Sequence, residues 1–167
     1  MTCSASRDNR GRSADDPAVI VVGVDGSPGS AAALDFALSE GHSRGLGVEV
    51  VTAWLFTPGQ SGPGSASPVD AGRALARALQ EHELAAAQAR GLPRPPLTHV
   101  VVRDHPGRVL TARSAGAAMV VVGSGRQSSA SRKVLGSVGE YCLRHSSAPV
   151  VVVPEPRTAG RTEAAAS

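Results

Sequence analysis

From Val120 to Val153 the chain reads VVVGSGRQSSASRKVLGSVGEYCLRHSSAPVVVV. A short apolar run that closes on Gly123-Ser124-Gly125 predicts a buried strand opening into a shaped loop. Gly136-Ser137 then stands where a helix should begin, and Ala148-Pro149 leads back into four valines. Strand, loop, helix and strand in that order make one crossover unit of a parallel sheet. The start of a helix presents unpaired N–H groups and the positive end of its dipole, so the loop is suited to an anion, phosphate above all.

The same rhythm extends toward the N-terminus. Val19–Val24 is a continuous apolar run, followed by Ser27 as a helix cap and Pro28 at the first helical position. A helix is expected over 29–44, with Ala33, Phe36 and Ala37 on one face. Val48–Trp54 reads as the second strand, and 57–68, rich in Gly, Pro and Ser, as a loop. Residues 69–90 have helical spacing, and Gly91 with Pro93 ends that helix. Thr98–Val102 is expected as a third strand, 107–116 as a helix, and Ala118–Val122 and Val150–Val153 as the remaining strands.

Alternating strands and helices predict an α/β fold, a single doubly wound five-stranded parallel sheet in a Rossmann-like three-layer sandwich. Strands this apolar throughout are expected to be buried on both faces. Ligands in such sheets sit beyond the carboxyl ends of the strands, where the strand order reverses. The turn from Val24 to Ser27 and the loop from Gly123 to Gly136 should meet there.

Composition narrows the function. The chain has 167 residues, of which 41% are hydrophobic and 19% charged, with a net charge of +3. That is the profile of one globular domain with tails. Residues 1–17 and 155–167 are rich in Ser, Arg and Ala without periodicity and read as disordered tails around a domain at 18–154. Aromatics are only 2%, so base-stacking platforms are missing, and the positive charges are spread along the chain; no nucleic-acid partner is expected. The first residues lack the apolar core of a signal peptide. No run approaches the ~18 consecutive apolar residues of a membrane span, so a cytoplasmic location and no membrane partner are expected. Cys3 and Cys142 imply no disulfide framework.

Catalytic signatures do not emerge. The five histidines, His42, His82, His99, His105 and His145, have no metal-ligand spacing, and His82-Glu83 lacks the second histidine of a zinc-protease helix. No G-x-S-x-G elbow is present, and no Gly-Lys-Ser/Thr of a phosphate-binding P-loop. A phospho-receiver would need an acidic pair after the first strand and a lysine after the last. Asp25 stands alone, and Lys133 is the only lysine. No enzyme activity is expected.

Three pieces, in this order and spacing, resemble the universal stress protein family across roughly 18–154. They are Val21-Val22-Gly23-Val24-Asp25-Gly26-Ser27, Met119–Gly123 with Gly136-Ser137-Val138 downstream, and Leu143-Arg144-His145 running into Ala148-Pro149-Val150. The resemblance implies strand order 3-2-1-4-5 and a homodimer formed through the last strand, Val150, Val151, Val152 and Val153. It also implies an adenine nucleotide as ligand, ATP alone or with magnesium, in a regulator of the stress response.

ATP-binding members of that family carry Gly, two residues, Gly, nine residues, Gly and then Ser or Thr. Gly123 matches the first position and Gly136-Ser137 the last two, but Arg126 stands at the middle position and Gly125 comes one residue early. Arginine lacks glycine's freedom at positive φ, yet its guanidinium is a good phosphate ligand. By resemblance, Gly123, Gly125, Arg126, Gly136, Ser137 and Val138 hold phosphate and ribose, Val24, Asp25 and Val51 flank the base, and Val122 completes the set. Each has a plainer role beside it. Asp25 can cap its own turn, Val51 and Ala53 can be core, and Ser137 can simply start a helix. The alternative function is a dimeric interaction module of the same fold in which Arg126 closes the phosphate site.

Overall fold

A computed structural model describes residues 18–55, 68–125 and 135–155. Five strands and four helices alternate along the described residues: β1 (Val19–Gly23), α1 (Pro28–Arg44), β2 (Gly47–Trp54), α2 (Pro68–Ala89), β3 (Leu97–Arg103), α3 (Pro106–Ala112), β4 (Met119–Gly123), α4 (Ser137–His145) and β5 (Val150–Val153). All strand pairs are parallel, in the order β3-β2-β1-β4-β5. This is the Rossmann-like sheet that the alternating pattern predicts. The order reverses between β1 and β4, and that switch point places the ends of these two strands side by side.

The sheet separates two apolar layers because successive residues of a strand point to opposite faces. Ile20, Val22 and Val24 pack with Val48, Val50 and Val121 against Leu34, Ala37 and Leu84 of α1 and α2. Val21, Val51, Val120 and Val122 pack on the other face with Val109 and Leu110 of α3 and Cys142 of α4. The small, β-branched side chains of the central strands are thus covered twice, which explains their unbroken apolar runs. The edge strands depart from the expected burial. Every residue of β5 is half-buried, and β3 alternates from buried Val100 to exposed Thr98 and Arg103. An edge strand has a neighbour on one side only, so apolar sequence does not guarantee enclosure.

Two further expectations are corrected. The third helix ends at Ala112 rather than at 116, because Arg113 caps it and the chain turns through Gly116 at φ +68°. Phe36 does not join Ala33 and Ala37; it is exposed, and the inward face of α1 is completed by Leu34, Leu38 and Gly41. Of the expected loop at 57–68, residue Pro68 instead begins α2; 57–67, the N-terminal tail, 156–167 and Arg126 lie outside the described residues. Glu155, expected in the C-terminal tail, donates its amide to Ser124 Oγ at 3.1 Å. No helix of the described residues is long and apolar enough to cross a membrane.

Candidate functional site

The turn after β1 is built by its own side chains. Asp25 Oδ1 accepts from the amide of Ser27 at 3.0 Å, closing an Asx turn. Gly26 completes it at φ +79°, a conformation that favours glycine. Ser27 is the N-cap of α1, accepting from Ser30 N–H at 3.1 Å, and Ser30 Oγ in turn accepts from Asp25 N–H at 3.3 Å. Pro28 follows at the first helical position, where its missing N–H costs nothing. Burial pulls the Asp25 carboxyl upward. Hydrogen bonds from the hydroxyl and amide of Ser27, the hydroxyl of Ser30 and its own amide outweigh that and hold it below the usual carboxylate range.

Across the switch point, Ser124 extends β4. Its amide donates to Val153 O at 2.8 Å and its hydroxyl holds Glu155. Gly136 is the N-cap residue of α4 in extended backbone, and no side chain of the described residues caps the helix there. The first-turn amides of Ser137, Val138 and Gly139 have no carbonyl partner within the helix. Gly136 lies against Gly125: a Cβ on Gly136 would stand 3.2 Å from Gly125 Cα, closer than such contacts ordinarily run. The two glycines therefore set the residues after β4 beside the start of α4.

Between these walls is an open cleft of about 220 Å³, apolar with a few polar groups among its lining, as small-molecule sites are. Of the residues expected in the site, Val24, Asp25 and Val51 line one side, and Val122, Gly123, Gly125, Gly136, Ser137 and Val138 line the other. Arg126 is outside the described residues. Val24, Val51 and Val122 are also members of the buried core, so their expected structural role and their place on the cleft wall coexist.

Pro106 and Leu110 of α3 complete an apolar wall with Val51 and Ala53, and Ser30 and Ser124 add hydroxyls. Pro106, Leu110, Ser30 and Ser124 were not legible as site residues. One signal pointed to α3: every helix of this topology that follows a strand starts at the carboxyl edge of the sheet, so its first turn faces the cleft. The histidines take other places. His99 Nδ1 meets Gln80 Oε1 at 3.2 Å, His145 stacks on Tyr141, and His42, His82 and His105 are exposed. Among the described residues no cluster of His, Cys, Asp and Glu could hold a metal ion.

A parallel sheet in this order, with a glycine-lined cleft at its switch point, defines a Rossmann-like α/β protein. Residues 18–154 match the universal stress protein family, and the chain belongs to it. Among curated relatives, the universal stress protein Rv2623 of Mycobacterium tuberculosis is 36% identical over 141 residues, covering 84% of this chain and 46% of the relative. The chain thus spans about half the length of the curated relatives it matches. Solved structures of similar fold include a universal stress protein in complex with cAMP, 24% identical with TM-score 0.60, covering 84% of this chain and 99% of that one. An Arabidopsis thaliana universal stress protein family protein with AMP bound is 17% identical with TM-score 0.56, covering 88% and 98%.

Proposed function

We propose that the cleft at the switch point binds an adenine nucleotide, with ATP as the first candidate, and that the protein is a nucleotide-responsive regulator rather than an enzyme. The observation that carries this reading is the pairing of an uncapped helix start at Gly136-Ser137 with an apolar wall of Val51, Ala53, Pro106 and Leu110. The first suits phosphate and the second suits a planar base. The narrow approach of Gly136 to Gly125 supports the same reading, because side chains at either position would fill the cradle. Bound cAMP and AMP in proteins of the same fold agree with it.

In this reading the backbone amides of Ser137, Val138 and Gly139 receive phosphate oxygens. Arg126, next after Gly125, supplies a cation to the phosphates in place of the family's glycine. The half-buried valines of β5 pair with those of a second copy, which removes an apolar sheet edge from water.

Calorimetry with ATP, with and without magnesium, and with AMP and cAMP tests the ligand. Native intact-mass measurement reports bound nucleotide and subunit number together. Saturable heat with one nucleotide per chain is expected, and a silent titration of nucleotide-free protein overturns the reading. Arg126→Gly separates its two versions: weaker binding means that Arg126 grips phosphate, whereas binding gained from a silent parent means that it closes the site.

A further inference from the structure

The two edges of the sheet have different chemistry. The β5 edge is four valines, whereas the β3 edge lies between arginines contributed by helices on opposite faces. Arg73 and Arg77 of α2 stand on one side of β3, and Arg113, at the end of α3, on the other. Together with His99 and Val100–Val102 they line an open depression of about 260 Å³, and no carboxylate of the described residues lines it. Arg113 reaches back to the buried Glu49 at 2.8 Å, and Arg77 to the exposed Glu81 at 3.2 Å. Arg73 makes no ion pair among the described residues.

Among the described residues, β3 pairs with β2 alone, and no strand lies on its other side. Pro96 turns its carbonyl to β2, 2.8 Å from Val48 N. Backbone groups alternate in direction along a strand of a parallel ladder. Thr98 and Val100 therefore face β2, and Leu97, His99 and Val101 present their N–H and C=O groups outward. A row of such groups is a template for one more strand.

We propose that the β3 edge is a docking site for an extended acidic segment of a partner protein, which adds as a sixth strand with carboxylates at alternate positions. The spacing fits. Arg73 and Arg77 are one helical turn apart, about 6 Å along the axis, and alternate residues of a strand are about 6.6 Å apart. Carboxylates at positions i and i+2 of the added strand therefore meet the two α2 arginines, while an intervening side chain turns toward Arg113. A second copy of this edge is refused because it would bring the same arginines face to face. The valine edge of β5 has no comparable charge and selects a different occupant.

The probe is the fluorescein-labelled peptide Glu-Val-Glu-Thr-Glu-Val, followed by anisotropy at low salt with the full chain. Saturable binding is expected to fall at least tenfold in the double variant Arg73→Glu/Arg77→Glu and to persist in Arg108→Glu/Arg144→Glu, which carries the same charge change on α3 and α4. Hydrogen exchange of the unaltered protein should slow at the amides of His99 and Val101 when the peptide is present, a readout that requires no variant to fold. Equal weakening by both double variants overturns the proposal. So does binding without protection of those amides. So does equal binding of Glu-Pro-Glu-Pro-Glu-Pro, which cannot form a ladder. Tighter binding of a single-stranded hexanucleotide at the same arginines also overturns it.

Discussion

Gly123 and Gly29 are packed backbone against backbone. A Cβ on Gly123 would stand 2.7 Å from Ser30 N and still closer to the Gly29 carbonyl, and one on Gly29 would stand 2.6 Å from Ser124 O. The first turn of α1 is thus pressed onto the end of β4, and this contact holds the two walls of the cleft in register. The first glycine of the loop motif consequently has a structural task, whereas Gly136 faces Gly125 across the mouth of the segment between them.

The two glycines should respond differently to the same methyl. Gly123→Ala forces main chain apart and should destabilise the fold by about 2 kcal/mol or more, in the upper range of overpacking. Gly136→Ala should leave the urea midpoint nearly unchanged and weaken nucleotide binding in calorimetry. Equal midpoint losses would show that both positions serve packing alone.

The Asp25 carboxylate should make stability depend on pH. Its folded pKa lies below the usual value, so its contribution is fully present above the unfolded value of about 3.9 and is lost as pH falls through the folded one. Asp25→Asn keeps an acceptor for the Ser27 amide but removes the charge. At pH 7 the variant should be less stable by under about 1 kcal/mol, since the carboxyl is only partly buried and is screened by solvent. The gap should close near pH 2, as followed by urea unfolding across that range.

Glu49 is the carboxylate of the β2 interior, at 7% side-chain exposure, and its partner Arg113 is 25% exposed. Removing the arginine strands a buried charge. Arg113→Met should therefore cost more than the double variant Arg113→Met/Glu49→Leu, with roughly 3 kcal/mol for the single change. A double-mutant cycle in urea measures the difference, and additive losses would contradict it.

Gln80 is fully buried on α2 and ties the seam between β2 and β3. Its Nε2 donates to Val50 O at 3.0 Å and to Val100 O at 2.8 Å. Both amide hydrogens are then used, so its Oε1 accepts from His99 Nδ1 and fixes that proton on the ring. Gln80→Leu should cost about 1–3 kcal/mol in unfolding and increase exchange of the β3 amides.

Cys142 is completely enclosed under α4, and burial pushes its thiol up to about 11. In a Cys3→Ser background, a thiol reagent at pH 7.5 should leave native protein unlabelled and react fully once urea unfolds it. Rapid labelling of the native protein would mean that α4 opens readily from the sheet.

Several features were written into local sequence. The valine runs specify strands because β-branched side chains suit the pleated sheet, and Ser27-Pro28 marks a helix start through its cap and its missing N–H. The glycine positions and strand alternation point to a cleft between Asp25 and Gly136, both of which line it. Other features were not legible. Phe36 has the spacing of an inward residue, yet α1 is rotated so that Leu34 and Leu38 are enclosed instead. The end of α3 was missed because Ala-Arg-Ser-Ala is compatible with helix, and the capping at Arg113 is decided by the chain's path into β4.

The sequence by itself determined the alternation, the parallel sheet and the strand ends that form the site, since these follow from periodicity and turn chemistry within a few residues. Only the tertiary structure decided that Pro106 and Leu110 wall the cleft, that Gly123 is held by Gly29, and that arginines of α2 and α3 converge on β3. Those relationships join residues far apart in the chain. They depend on how helices seat on the sheet, which is set by the summed packing of many small side chains rather than by any local signal.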